Sequence, residues 1–246
     1  MRKLTFFILI LSLCVSAGAQ STVSVPDHIV QTVVHHKGYT VSFNEDARIP
    51  NYVSYTLRPE DVTTEGVSRN GEEFLPDPDI EGCPESRDYS RTGYDRGHMM
   101  PAADCKTDEV RMRESFYLSN VCPQNHSLNE GSWCDLEKQV RFWCKHYYKT
   151  ELRIVCGPWW DDGCRITDSG IAVPQAFWKV ICRYDSRQGH WKAIAFLFPN
   201  NASEKPYATR QVSVDDIESL TGMDFFTDIP DKEENAMEKS VEAWKF

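Results

Sequence analysis

The sequence predicts an α+β fold, with a mixed, mainly antiparallel central sheet flanked by helices. Three observations carry this expectation. Residues 39–43 and 52–57 alternate, and are rich in aromatic and β-branched side chains, as strands on a half-buried sheet are. Residues 176–182 and 191–197 are longer apolar runs on either side of a polar 185–189 turn, which makes them a hairpin of central strands. Across residues 131–148, Trp133, Leu136, Val140, Trp143, Cys144 and Tyr147 fall within one arc at helical spacing, so this stretch is a helix with a core-facing stripe.

In chain order, residues 21–34 form an extended lead-in, and residues 44–51, with Pro50, are the turn between the first two strands. Residues 58–94 are polar and carry Gly66, Gly71, Pro76, Pro78, Gly82 and Pro84. They form a long loop, and a long loop inside a compact domain is often functional. Residues 152–156 are a strand stopped by Gly157-Pro158. Ser213-Val214-Asp215-Asp216 resembles a capping box that opens a short helix to Leu220, closed by Gly222. The acidic end from about residue 228 reads as a solvated tail or frayed helix. There is no low-complexity linker and no internal repeat, so residues 20–246 are expected to form one domain.

Residues 1–19 have the pattern of a secretory signal peptide: Arg2 and Lys3, an apolar run over 6–15, then Ala17-Gly18-Ala19. The run is short for a membrane span. A secreted or periplasmic protein with no stable membrane association after cleavage is the expectation. Cleavage would leave eight of the nine cysteines, an even number that favours a disulfide framework in an exported chain. The two nearest, Cys156 and Cys164, are eight positions apart, which excludes a zinc knuckle built on Cys-x2–4-Cys.

The formal charge is −10, and it is uneven: residues 214–246 hold ten acids and three bases, whereas 87–113 hold six bases and five acids. Proteins that grip a phosphate backbone usually present a basic surface. This balance disfavours a sequence-specific nucleic-acid binder, while a hydrolase making a few contacts around a metal tolerates it.

The chemistry is concentrated between Gly93 and Glu137. Asp95-Arg96-Gly97-His98 offers a base in His98 and a fixed cation in Arg96. Further on, Asn129 offers a neutral oxygen ligand and Glu137 a carboxylate. Together they suit metal-assisted attack on a phosphodiester. The motifs Asp95-Arg96-Gly97-His98, Ser119-Asn120-x-x-Pro123-Gln124 and Leu128-Asn129-x-x-x-Trp133-x-x-Leu136-Glu137 occur in that order. In this the chain resembles the DNA/RNA non-specific endonucleases of the ββα-metal superfamily, to which mitochondrial endonuclease G belongs. Weaker likeness extends from about Gly38 to Phe226.

The resemblance implies a ββα-metal motif in the fold and a Mg²⁺-dependent, sugar-non-specific endonuclease, with Mn²⁺ as the alternative ion, DNA and RNA as substrates and 5′-phosphate ends as products. It makes His98 the general base, so activity is expected to decline as the pH falls below its pKa. It makes Asn129 the direct metal ligand, with Glu137 reaching the ion through water. Arg96 would neutralise phosphoryl charge. Arg69 is either a phosphate contact or a solvated loop arginine, and Arg141 either pairs with Glu137 or meets phosphate. Asp95 is structural or supports the ligand set; Asn120 is a substrate contact or, with Gln124, a brace. Two rival functions are a phosphodiesterase of narrower substrate range and a non-catalytic binding protein that retains the fold. The second has no need of Arg96, His98, Asn129 and Glu137 together.

Overall fold

The computed structural model describes residues 22–201, 206–241 and 244. The expected signal peptide lies outside the described residues. The centre is a seven-stranded sheet of β1 (Thr32–His35), β2 (Thr40–Asn44), β3 (Ile49–Leu57), β6 (Leu152–Trp159), β7 (Ala176–Asp185), β8 (His190–Pro199) and β9 (Gln211–Val212). Their order is β9-β8-β7-β6-β3-β2-β1, and every neighbouring pair is antiparallel. The two strands between β3 and β6 in sequence, β4 (Asp95–His98) and β5 (Val121–Gln124), form a separate antiparallel pair. The helices are α1 (Glu109–Ser115), α2 (Cys134–Phe142), α3 (Val214–Thr221) and α4 (Asp231–Glu238). Among the described residues, no helix is long and apolar enough to cross a membrane.

Alternation along the strands divides the core into two faces. Ile154, Cys156, Phe177 and Ile181 pack on one side with Leu118, Val121, Trp133, Leu136 and Val140. Val155, Val180 and Cys182 pack on the other with Val214, Ile217, Phe225 and Met237. The paired strands β4 and β5 and helix α2 therefore cover one face of the sheet, and α3 and α4 cover the opposite one.

Several boundaries differ from the sequence reading, for local reasons. The first turn shrinks because β3 begins at Ile49 and includes Pro50. Proline is tolerated there because the β2–β3 register shifts between Ser42 and Phe43. Strand β6 continues through Gly157-Pro158 to Trp159. Its pairing with β3 ends at Val53–Cys156, so beyond Cys156 that edge is free of the β3 ladder. A side chain at 157 would meet Asn51 O at 2.5 Å, so the glycine serves close packing and not a stop. The expected capping box at Ser213 is present, and Gly222 closes α3 at φ 71°. The acidic end is not a solvated tail: α4 buries Glu234, Met237 and Glu238.

The expected disulfide framework is also corrected. The eight cysteines from Cys83 to Cys182 are free thiols. They are dispersed through the molecule, with Cys156 on one face of the sheet and Cys182 on the other. Cys144 Sγ donates to Leu57 O (3.4 Å) and Cys156 Sγ to Met99 O (3.3 Å). Burial pushes the Cys83 and Cys105 thiols up to about 12 and Cys156 up to about 11. They behave as small apolar residues and not as thiolates.

Candidate active site

Strands β4 and β5, the turn at Leu128–Trp133 and helix α2 converge on a cleft of about 680 Å³. Arg69, Asp95, Arg96, His98, Asn129, Glu137 and Arg141 line it together. The β4–β5 pairing sets Gly97 opposite Cys122 and His98 opposite Val121. A Cβ on Gly97 would lie 2.2 Å from Gln124 Oε1, so only glycine lets the Gln124 side chain cross the pair of strands here. Arg96 and His98 are two apart on the strand and share its cleft-lining side.

The His98 ring packs against both Phe74 (centroids 5.2 Å apart) and Phe116 (5.0 Å, edge-on). Its Nε2 is buried and has no hydrogen-bond partner in the protein. Burial, followed by the nearby Arg69 cation, lowers the imidazole pKa to about 3. The ring is therefore neutral at ordinary pH and able to accept a proton. Trp133 Nε1 donates to the His98 carbonyl (3.3 Å), tying the end of β4 to the turn before α2.

The same two rings position both arginines. Arg69 lies over Phe116 (5.5 Å), and Arg96 over Phe74 (5.5 Å) and Tyr89 (5.8 Å). Arg96 Nη2 also donates to Ser86 O (2.6 Å). The three rings touch one another, Phe74 and Phe116 at 5.1 Å, and each phenyl carries one arginine, so Arg69, Phe116, His98, Phe74 and Arg96 form one cluster. Nothing in the sequence marked Phe74 or Phe116, because each reaches the ring from a separate segment.

Asn129 sits in a widened helical turn kinked at Gly131 (φ −98°, ψ −117°), and not on the regular helix. Its Nδ2 donates to Asp95 Oδ2 (2.9 Å). With the amine end committed, the carbonyl oxygen is what Asn129 has left to offer. Asp95 thus fixes the Asn129 side chain, and His126 Nδ1 meets the same oxygen at 2.9 Å.

Glu137 projects from α2. Burial raises its carboxyl to about 7, against the opposing influence of Lys179 and then Arg141. Lys179 is 1% exposed, on the same face of β7 as Phe177 and Ile181. Its Nζ lies 4.4 Å from the Trp133 ring centroid and 3.4 Å from Met99 O. As the single charge within the apolar run 176–182 it was marked as a buried charge in need of a counter-charge, but nothing in the sequence named Glu137 as that partner. Arg141 pairs with Asp104 (2.9 Å), and not with Glu137. Tyr55 Oη donates to the other Asp104 oxygen (3.2 Å).

Asn120 is placed elsewhere. It is fully buried, and its amide donates to Met100 O and Ser115 O and accepts from Met100 N. That corrects the expected substrate contact: the side chain has no surface to offer, and its work is to brace the chain after β4. Gln124 is likewise buried. The oxygen of Asn129 and the carboxylate of Glu137 are hard donors, which fit a divalent cation of the Mg²⁺ or Mn²⁺ kind. The arrangement holds a neutral base, two cations and hard oxygen donors around one cleft, which is equipment for displacement at phosphorus.

Residues 17–232 match the family described as DNA/RNA non-specific endonuclease. The chain is 31% identical over 227 residues to "Nuclease 1, mitochondrial" of Schizosaccharomyces pombe, covering 84% of this chain and 69% of that protein. It is 31% identical over 224 residues to "Mitochondrial nuclease" of Saccharomyces cerevisiae, covering 81% and 67%. A solved structure described as the EndoG/EndoGI complex, on the mechanism of EndoG inhibition, superposes with a TM-score of 0.75 at 30% identity, covering 83% of this chain and 89% of that one. The secreted or periplasmic expectation is corrected by these relatives, both of which are named as mitochondrial nucleases.

Proposed function

Because the chain belongs to the DNA/RNA non-specific endonuclease family, and so is a nucleic-acid-hydrolysing enzyme, we propose that it cuts DNA and RNA internally, leaving 5′-phosphate ends, with His98 as general base. The observation that carries this reading is the His98 ring: neutral, packed against two aromatic rings and lining the cleft shared with Asn129. The His98 imidazole takes the proton from the attacking water as its oxygen approaches phosphorus. Arg96, held by Ser86 and the two aromatic faces, meets the charge that develops on the phosphoryl oxygens. Arg69, over the other phenyl ring, contacts the phosphate as a second cation.

Asn129 and Glu137 would hold the ion, Asn129 directly and Glu137 through water. When bound, Mg²⁺ or Mn²⁺ supplies positive charge that steadies the phosphate and the leaving oxygen. Asp95 keeps the Asn129 oxygen in position by holding its amine end. Lys179 and Arg141 keep Glu137 more readily ionised than burial alone would allow. Plasmid DNA and a structured RNA, each incubated with Mg²⁺ and with excess EDTA, test the proposal. We expect both polymers to be degraded in Mg²⁺ and neither in EDTA. Undiminished degradation in chelator would remove the metal from the account, and cleavage of small phosphodiesters alone would replace the nuclease with a narrower enzyme.

A further inference from the structure

On the face of the sheet opposite the cleft, α3, the Asp224–Phe225 segment and α4 bring five carboxylates together. Asp215, Glu218 and Glu238 place ligand oxygens within 4.8 Å of one another, and so do Asp224, Glu234 and Glu238. Glu238 belongs to both groups and joins them. A surface cluster of acids would mean little by itself, but two of these are not at the surface: Glu234 is 9% exposed and Glu238 6%. Each has one carboxylate oxygen, Oε1, shut off from solvent without a hydrogen-bond partner. An orphaned buried carboxylate oxygen is strongly unfavourable, and here two are turned into one acidic cluster.

We propose that this cluster is a second cation site, selective for Ca²⁺, formed by Asp224, Glu234 and Glu238 and extended by Asp215 and Glu218. The donors are all carboxylate oxygens, which selects a hard cation over zinc or copper. Ca²⁺ accepts many carboxylate oxygens in irregular geometry, whereas Mg²⁺ demands near-octahedral order and retains most of its water. The surroundings contain little to neutralise the cluster otherwise. After burial, the influences on Glu234 and Glu238 are neighbouring carboxylates, which together raise them to about 7 and about 8. Glu218 Oε1 accepts from Phe225 N (3.0 Å), which fixes that carboxylate against the Asp224–Phe225 segment. Glu218 and Glu238 also share a hydrogen bond, so a bound proton is the competitor that the cation must displace.

The consequence is mechanical. The ligands come from α3, the Asp224–Phe225 segment and α4, so one ion would fasten α4 to the body of the domain. α4 in turn covers Cys182 and the second core face through Met237. The acid concentrated in residues 214–246 then has a purpose apart from the substrate, which it could only repel.

Calorimetric titration of Ca²⁺ into the full chain carrying Asn129→Ala tests this apart from the catalytic cleft. We expect one saturable Ca²⁺ site, weaker for Mg²⁺, with a rise of several degrees in Tm as it fills. The Glu234→Gln/Glu238→Gln variant should lose that binding and its thermal response, while starting from a higher Tm in EDTA because the repulsion is gone. Asp224→Asn, at an exposed position, should weaken binding about ten-fold or more without disturbing the fold, and it decides the question if the double variant does not fold. Absence of saturable binding in the Asn129→Ala protein, or binding unaltered by both sets of changes, would overturn the site. A Tm that rises on acidification but not with Ca²⁺ would show shared protons in place of a cation, and would overturn it equally.

Discussion

The two faces of the sheet bury charge in opposite ways. On the cleft face, the buried Asp104 has Arg141 and Tyr55, and Glu137 has Lys179 and Arg141 within electrostatic reach. On the far face, Glu234 and Glu238 are surrounded by other carboxylates. A buried carboxylate with a built-in counter-charge is fixed in place before any ligand arrives, as preorganised electrostatic catalysis requires. One without a counter-charge stores repulsion that a cation or a proton must relieve. Both regions are acidic and partly desolvated, and the pairing decides whether the acid serves chemistry or attachment.

The largest effect that would break this comparison lies in the cleft. His98→Ala should lower the cleavage rate by about 10²–10⁴-fold, with native far-UV circular dichroism. Near-normal turnover in the folded variant would remove the base from the scheme. Next comes the pairing itself. Arg141→Met leaves Asp104, 1% exposed, without its counter-charge. Breaking a buried pair on one side is worth about 3–5 kcal/mol, so thermal melting should show a Tm lower by roughly 10 °C. The double variant Asp104→Asn/Arg141→Met should recover much of that loss; equal melting of wild type and Arg141→Met would show the pair to be passive.

The proposed catalytic residues His98, Asn129 and Glu137 were legible because they lie within one run of sequence, in motifs whose order carries the family. The groups that tune them were not. Phe74 comes from the long loop, Phe116 from the end of α1, and Lys179 from β7 across the sheet. Their roles depend on tertiary contact, which spacing does not encode. The strands of the sheet were legible from alternation, yet Pro50 and Gly157-Pro158 misplaced boundaries, because a register shift and a free ladder edge permit what a central position forbids. Helix α1 has only seven residues and no long apolar stripe, so its one signal was Asp108, which caps Val110 N and Arg111 N. The free cysteines show the same limit: their number suggested crosslinks, but the fold leaves them unpaired, six of the eight as buried core residues.

Smaller effects sharpen the comparison through pH. For Glu234 and Glu238, the folded pKa values lie above the ordinary 4.5, at about 7 and about 8. Their contribution is therefore most favourable below 4.5 and is lost as the pH rises through 7 to 8. In EDTA, urea midpoints should decline over that window, and Glu234→Gln should flatten the decline while changing little at the acid end. A midpoint that rises across the window in wild type would contradict the unpaired burial of these carboxylates. Glu137 shares the direction of this shift, at about 7, so the acid limb of the kcat profile should belong to Glu137 and not to His98. Glu137→Gln should lose that limb along with part of its rate; a limb left unmoved in this variant would return it to the imidazole.

The most direct test is of the imidazole, by nitrogen-15 NMR titration of the His98 ring in the full-length protein. A folded pKa lowered from 6.5 to about 3 means that the unfolded chain takes up the proton first as the pH falls. The stability contribution of this group is therefore complete above 6.5 and is lost toward 3. We expect the His98 ring nitrogens to keep neutral-form shifts from pH 8 down to pH 5, while the exposed His126, raised by its bond to Asp95, titrates within or above that range. A His98 midpoint near its ordinary 6.5 would contradict the account, because the two aromatic rings and Arg69 would then not be holding a neutral base in the cleft.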